Sequence, residues 1–434
     1  MLSHLKSNLK FGINTRRSTK VVAIIILSVF IFTKCTENNK DKNNSGQKDK
    51  FGQFAGSAKC AGCHKNIYDT HIKTEHFLSS AIVSNHNILG SFEKGQNRIA
   101  FGPEVYVAME KRDSGFFQVE YINDEEERNG RFDIVVGSGR KGQSYLSWVG
   151  NRLVQMPITF FTPARQWSTS PGYPADKVVY NRQITSRCME CHSTYLDKIS
   201  ALKTEPEEFD HKRIIYGIDC EKCHGPAAMH VDYQLQNPQN KIAKYIINPG
   251  KLSRQQNLDL CALCHGGRMV KLKPSFQFRV GDTLANYFAM NKNKVDAVNI
   301  DVHGNQLPLL ASSKCFMMSQ LTCNNCHNMH ENEKDKLAVF SQRCMSCHSD
   351  GHEKQCKLTA TLGNTITQNC IDCHMPKQPS KTIAVNLPGK DTLTPVMMRT
   401  HLIKIYPAAT DKFLKSFRKM KFTNSKTKIK CDGL

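Results

Sequence analysis

The chain has 434 residues, a hydrophobic fraction of 39%, two tryptophans and 18 cysteines. Long stretches of hydrophobic periodicity are scarce, which excludes a protein held together by one large apolar core. The formal net charge of +22 would by itself suggest a nucleic-acid partner. However, the first 34 residues supply six of the lysines and arginines and no acidic residue, so the charge alone does not predict such a partner.

The N-terminal segment is typical of an exported protein. Residues 1–20 are basic, and residues 21–32 are apolar except for Ser28, which is short for a membrane span but suits a signal peptide. Cys35 follows shortly and resembles a lipoprotein acceptor site, although Lys34 stands where Gly, Ala or Ser is usual. We predict a signal peptide over residues 1–34, a lipid anchor at Cys35 and a polar tether over 35–50, with an uncleaved membrane anchor as the alternative.

Beyond the tether, the motif C-x-x-C-H occurs seven times and uses 14 of the 18 cysteines. Two thiols at this spacing can form thioether bonds to the vinyl groups on one edge of a porphyrin, and the following histidine can bind the iron. We therefore predict seven covalently bound haems c. The attachment cysteines are Cys60, Cys63, Cys188, Cys191, Cys220, Cys223, Cys261, Cys264, Cys323, Cys326, Cys344, Cys347, Cys370 and Cys373, and the proximal histidines are His64, His192, His224, His265, His327, His348 and His374.

Two other uses of paired cysteines fit this pattern poorly. Zinc ribbons combine two C-x-x-C knuckles for each metal ion and need no histidine directly after each knuckle, whereas this chain has an odd number of knuckles and a histidine after every one. Thioredoxin-like redox pairs occur singly. If haems are bound, their propionates account for much of the basic excess, so we predict no nucleic-acid partner.

The motifs are unevenly spaced along the chain. The first lies alone in a predicted haem module over residues 51–94, and a long stretch without the motif follows. In this stretch, residues 105–122 alternate around an Asp113-Ser114-Gly115 turn and predict a hairpin, and further short segments with glycine turns follow. We therefore predict a β-rich insert over residues 95–175.

The remaining six motifs fall in a predicted helical and loop domain over residues 176–434. The sequence "FQFRVGD" at residues 276–282 predicts one strand within it. The C-terminal tail is basic, and Phe413, Leu414, Phe417 and Met420 could form one apolar face of a helix. The chain offers too little protein to build a side-chain core around each of the seven motifs, so we expect the porphyrins themselves to form much of the core.

Several segments resemble a known group of proteins. "CEKCHGPAAMH" at 220–230, "CNNCHNMH" at 323–330 and "CIDCHMP" at 370–376 are similar to multihaem c-type cytochromes related to the pentahaem nitrite reductases, the octahaem hydroxylamine oxidoreductases and the tetrahaem cytochromes of nitrifiers. The resemblance implies a mainly α and irregular multihaem cytochrome fold built around stacked haems, with a small antiparallel β insert. The C-x-x-C-K motif of many nitrite reductases is absent from the sequence.

Further histidines are candidates for the second axial position of the irons. His330 lies only three residues after His327 and cannot reach the opposite face of the same haem, so we expect it to bind a neighbouring haem. The same argument applies to His230 and His352. By resemblance to the family, His76, His303 and His401 are also predicted distal ligands. These six leave one haem unassigned, which His71 or His86 could fill, although surface or propionate-contacting roles are favoured for His71, His86 and His211.

The residues outside the motifs leave two questions open. Cys315 and Cys356 could form a disulfide in an exported protein or remain thiols, and Cys431 is also left over. The favoured function is electron transfer through the seven haems in the periplasm or cell envelope, with redox partner proteins or a quinol-linked donor. The alternative is an oxidoreductase that reduces a small nitrogen or sulfur oxyanion at one open haem. Its candidate residues above the iron are Arg140, Lys141, Arg152, Arg165 and Trp167, although propionate contacts and solvated strand faces are favoured for them.

Overall fold

The computed structural model describes residues 51–200, 206–289, 296–333, 335–349 and 356–429. The predicted signal peptide, the lipid anchor at Cys35 and the tether lie outside the described residues, as do His352 and Cys431. Within the described residues, no helix combines the length and the apolar character needed to cross a bilayer.

The prediction of a mainly α and irregular fold is wrong. The structure contains 32% helix and 25% strand. Five of the helices end at the histidine of a C-x-x-C-H motif, and much of the chain between motifs forms antiparallel strands. The helices are α1 Ser57–His71, α2 Ser186–His192, α3 Cys220–His224, α4 Ala228–Gln236, α5 Arg254–His265, α6 Gln306–Ala311, α7 Lys314–Met317, α8 Leu337–His348, α9 Thr359–Leu362, α10 Ile371–His374 and α11 Pro407–Ile429.

A four-stranded antiparallel meander follows the first motif. Its strands are β2 Arg98–Ala100, β3 Val105–Arg112, β4 Gly115–Ile122 and β5 Glu125–Arg131, paired in that order. The predicted hairpin is confirmed, since β3 pairs with β4 from Val105↔Ile122 to Arg112↔Gly115. The next turn places Asn123 at φ 52° and Asp124 at φ 64°, the left-handed conformation that two-residue hairpin turns require and that Asn and Asp tolerate.

A second, seven-stranded sheet packs with the meander around a shared core. It contains β1 Ser80–Ile82, β6 Ile134–Val136, β7 Gly142–Val149, β8 Arg152–Gln155 and β11 Arg182–Gln183 in one path, with β9 Ile158–Phe161 paired to β7 and β10 Gln166–Thr169 paired to β9. We call β2–β10 the β region. Its described strand pairs are antiparallel. Buried and exposed positions alternate only in part, because some strands, such as β9, are buried on both faces.

Aromatic side chains form the centre of the β region. Trp167 is only 2% exposed and donates its indole N–H to the Ser91 carbonyl at 2.7 Å. The Phe132 and Tyr145 rings stack at 4.3 Å, and Phe160 meets Trp167 edge-on at 5.7 Å. Pairs of this kind contribute about 0.5–1.5 kcal/mol each beyond the area they bury. This region therefore has an ordinary side-chain core.

Three two-stranded sheets lie among the later haem motifs. They are β12 Ser193–Lys198 with β13 Phe209–Tyr216, β14 Val270–Lys271 with β15 Phe288–Ala289, and β16 Lys377–Val385 with β17 Thr394–Arg399. The strand predicted at 276–282 is wrong. Phe276 has φ 61°, and its backbone N–H donates to Glu190 Oε1 at 2.7 Å, so a side chain takes the place of a ladder partner.

Candidate functional site

Most C-x-x-C-H motifs lie at the C-terminal end of a helix. Five helices end at a motif histidine, and the first motif lies inside α1, where His64 departs from helical geometry. Residues three apart share one face of a helix, so the two cysteines of each helical motif point the same way. The fifth motif begins in the short 3-10 helix Cys323–Asn325. The helix end then lets the chain turn away after the histidine.

Pairs of histidine rings give the clearest geometric test of haem binding. Two imidazoles bound on opposite sides of one metal ion, each through a bond of about 2 Å, have ring centroids about 6 Å apart. His224 and His330 have centroids 6.0 Å apart, His76 and His265 6.2 Å, and His327 and His401 6.3 Å. Each pair joins a motif histidine to a predicted distal histidine from elsewhere in the chain. The residues therefore fit three irons with two axial histidines each.

The protonation states suit metal binding. Burial, followed by the nearby imidazoles, lowers the pKa of His76 and His401 to about 4. Burial, followed by the imidazoles of His303 and His265, lowers the pKa of His192 to about 4, so the predicted distal ligand His303 lies near the second motif. A metal binds the neutral imidazole, and burial holds these rings in that form at neutral pH.

Several motif histidines are oriented by their other ring nitrogen. The Nδ1 atoms of His224, His265 and His374 lie 2.9–3.1 Å from the Ile247 carbonyl, the Gln306 side-chain oxygen and the Lys404 carbonyl. An N–H donated to such an oxygen fixes the tautomer and leaves Nε2 for a metal. This is the arrangement expected of histidines that bind metal from one side.

Thiols of different motifs contact each other. In four pairs, the two thiols interact, which lowers the pKa of one and raises that of the other. The thiols with the lowered pKa and their partners are Cys60 with Cys220, Cys264 with Cys191, Cys323 with Cys261, and Cys370 with Cys344. Since these sulfurs are the predicted attachment points, the porphyrin edges of motifs one and three, two and four, four and five, and six and seven would lie side by side.

Two further contacts connect the motifs that these thiol pairs leave unconnected. Arg343, on the helix of the sixth motif, donates from Nη1 to the Cys326 carbonyl of the fifth motif at 2.8 Å. The Cys223 thiol lies near Cys261 and helps to raise its pKa, after the larger effects of Cys323 and burial. The motifs therefore form one connected series from the first to the seventh, with the second beside the fourth.

The other predicted distal ligands are less closely defined. His230 is half-buried, its Nδ1 lies 2.8 Å from the Lys244 carbonyl, and it is one of the imidazoles that neighbour His224. His64 is another neighbour of His224. For the sixth and seventh motifs, the ring distances do not identify which distal histidine would face His348 or His374. The assignment of ligands to the first, sixth and seventh motifs stays a prediction.

The structure corrects the interpretation of His71. This residue is 8% exposed, so the predicted surface role is wrong, while contact with a propionate stays a prediction. Its two ring nitrogens lie 3.1 and 3.2 Å from backbone carbonyls, which also argues against a role as the missing ligand. His86 is exposed, and His211 stacks on Trp148 at 3.8 Å. Sequence spacing gave no signal for the buried position of His71, because its partners lie far away in the chain.

The candidate residues for an open haem site have structural contacts instead. Trp167 is buried in the core of the β region. Arg140 pairs with Glu75 at 3.2 Å, and the Lys141 ammonium donates to the Met397 carbonyl at 2.8 Å. Arg152 lies in β8, and Arg165 occupies a left-handed turn position at φ 51°. These contacts give no support to a substrate pocket built from this set.

The two cysteines outside the motifs that the structure describes, Cys315 and Cys356, are not bonded to each other. Cys315 is half-buried and Cys356 is exposed, and both are thiols, so the Cys315–Cys356 disulfide is not present. Burial raises the pKa of Cys315, with Cys347 as a further neighbour. Both extra cysteines therefore remain reduced in this structure.

Comparisons with known proteins agree with this site. The family described as "Cytochrome c554 and c-prime" matches residues 167–225, which contain the second and third motifs. "Multiheme cytochrome MtrA" from Shewanella baltica (strain OS185) is 25% identical over 190 residues, which are 39% of this chain and 54% of that protein. The chain thus spans about half the length of this curated relative. The comparisons support a multihaem c-type cytochrome.

The fold of this chain is also similar to that of a solved structure. The structure titled "Crystal Structure of Outer Cell Wall Cytochrome OcwA" aligns with a TM-score of 0.50 and 16% identity, covering 81% of this chain and 80% of that one. At this level of identity the alignment shows similarity of fold alone. The alignment covers about four fifths of each chain, so most of the fold found here also occurs in that protein.

Proposed function

We propose that this cytochrome carries electrons through seven covalently bound haems in the cell envelope. The observation that carries the proposal is the connected series of motifs, in which thiols of neighbouring motifs touch. Bound haem would supply an iron that exchanges one electron between ferric and ferrous states. The three histidine pairs would each hold an iron, burial keeps the imidazoles of His76 and His401 neutral, and the chain brings the attachment points together so that electrons would need to cross only short gaps.

Two observations support a location in the cell envelope. The N-terminal sequence is typical of an exported protein, and the similar solved structure is that of an outer cell wall cytochrome. Export through residues 1–34 and lipid attachment at Cys35 would hold the protein at a membrane surface, where redox partner proteins or a quinol-linked donor could reach it. The Cys35→Ser variant on its native leader should lose the lipid and appear in the soluble fraction. A variant that still carries lipid would show that Cys35 is not the attachment site.

Stoichiometric redox titration tests the electron-transfer proposal. The oxidised protein should accept about seven electrons per chain at low potentials, since histidine is the usual second ligand of low-potential haems. The fully reduced protein should then pass electrons to an artificial acceptor but show no sustained turnover with nitrite, hydroxylamine or sulfite. Uptake of only one or two electrons would contradict the relay. Sustained turnover with one of these compounds would favour the oxidoreductase instead.

A further inference from the structure

His71 has the contacts of a brace between haem segments. It is the last residue of α1 and is 8% exposed. Its Nε2 atom lies 3.2 Å from the Ile218 carbonyl, and its Nδ1 atom lies 3.1 Å from the Met329 carbonyl. The Phe77 ring closes one side of the imidazole in an edge contact at 5.9 Å. Both ring nitrogens therefore lie within hydrogen-bond distance of a backbone carbonyl, and the neutral imidazole, which carries one N–H, donates to one of the two.

The two carbonyls belong to two other haem segments. Ile218 lies two residues before Cys220, the first cysteine of the third motif, and Met329 immediately precedes the predicted distal histidine His330. The ring of His71 thus connects the first haem module, the start of the third motif and the loop of the fifth motif. These segments are 147 and 258 residues from His71 in the chain, so the ring closes long-range contacts that local structure does not provide.

The position of His330 depends on the same contact. The Met329 carbonyl is part of the peptide bond that leads into His330, so a hydrogen bond to it restricts where the His330 side chain begins. The His330 ring lies 6.0 Å from His224 with only 13° between the ring planes, but 6.3 Å from His71 at 73°. Both rings are thus spaced to share an iron with His330, and the ring nitrogens decide between them. One nitrogen of His224 lies 2.9 Å from a carbonyl, which leaves the other for a metal, whereas both nitrogens of His71 lie near carbonyls.

His71 is poorly suited to bind iron. A ligand histidine must direct a nitrogen lone pair at the metal, and its other nitrogen usually donates to a carbonyl or carboxylate. Both nitrogens of His71 instead face backbone carbonyls. We propose that His71 is a positioning residue that holds His330 opposite His224 without binding an iron itself. This inference rests on the proposed function, because it needs a haem at the third motif.

Three variants of the full-length, haem-loaded protein test this role. His71→Phe keeps the size and aromatic packing of the ring but removes both nitrogens. His71→Gln keeps a polar group that can donate to the Met329 carbonyl. His211→Phe is the matched control. His211 is also a histidine near a backbone carbonyl, that of Gly150 at 2.9 Å, but it stacks on Trp148 of the β region. The readouts are haem content by intact mass and paramagnetic resonance of the oxidised protein.

We expect His71→Phe to retain its haems while about one low-spin signal in seven shifts its g-values or becomes high-spin. His71→Gln should restore part of the original signal, and His211→Phe should leave it unchanged. An unaltered spectrum for His71→Phe at full haem content would overturn the inference. So would complete conversion of a haem other than the one that His330→Ala converts, because His71 would then be a ligand in its own right. Wild-type protein without attached haem would instead refute the proposed function on which the inference rests.

Discussion

The β region and the haem-motif segments are stabilised in different ways. In the β region, large side chains such as Trp167, Tyr145 and Met156 are almost completely buried against each other. In the segments that carry the later motifs, the buried apolar clusters are smaller, for example Ala262, Leu263, Leu284 and Phe288 beside the fourth motif. What these segments bring together instead is cysteine sulfurs and neutral imidazoles. One part of the chain has a side-chain core, and the other is arranged to surround a cofactor.

This difference predicts a large effect when haem attachment is prevented. Chain exported without haem should keep its β region folded, because burial of apolar side chains supplies the stability there. The segments after Ser186 should lose their structure, because their core is missing. Hydrogen exchange followed by mass spectrometry should show protected amides in β3, β4 and β7 and rapid exchange in α5, α8 and α10. Equal protection of both parts in the haem-free chain would contradict the comparison.

Truncation of the central tryptophan should give the converse result. Trp167→Ala removes a fully buried ring and should destabilise the β region by about 3–5 kcal/mol, the range for large-to-small changes of aromatic core residues. Denaturant unfolding followed by hydrogen exchange in β7 and β9 measures the loss. Trp148→Ala is the control, since Trp148 is only half-buried and should cost less. The haem absorbance spectrum of both variants should match the wild type below the unfolding transition. A changed spectrum for Trp167→Ala would show that this core shapes the haem sites directly.

Loss of distal histidines should act on single haems. His76→Ala removes the ring opposite His265, and His401→Ala removes the ring opposite His327, so each should convert about one haem in seven from low-spin to high-spin. The double variant should convert two, because the two pairs share no residue. Paramagnetic resonance with a cyanide titration measures the fraction. If both single variants affect the same signal, the assignment of these rings to two different irons is wrong.

The sequence predicts some features of the fold and the site, and there are physical reasons why it does not predict the others. The haem motifs and the 105–122 hairpin depend on residues close together in sequence, so spacing and alternation predict them. The pairing of His76 with His265, or of His401 with His327, depends on the packing of distant segments. The same holds for the loop at Phe276, where Glu190 supplies the hydrogen bond that a strand partner would otherwise make. The expected helical fold failed because the chain between motifs pairs as strands, which the motifs do not reveal.

A smaller effect is expected at an ion pair between two motifs. Arg343 on α8 binds Glu333 near the fifth motif, and this hydrogen bond lowers the pKa of Glu333. Because the folded pKa is lowered, the pair stabilises the protein above the unfolded pKa, and this contribution is lost as pH falls through the folded pKa. Glu333→Gln should therefore destabilise the protein by about 1 kcal/mol at neutral pH and by less in acid. Thermal unfolding at several pH values measures this, with the exposed Glu331→Gln as the control. A loss that does not vary with pH would show that the charge of Glu333 is unimportant.

The number of covalently attached haems tests the central claim most directly. Thioether bonds survive acid–acetone extraction, which removes haem held only by axial ligands. Intact mass of the extracted mature protein should exceed the polypeptide mass by seven haems, one for each C-x-x-C-H motif. A mass corresponding to fewer than six attached haems would contradict the account, because a motif without its haem would leave a gap in the connected series through which the electrons are proposed to pass.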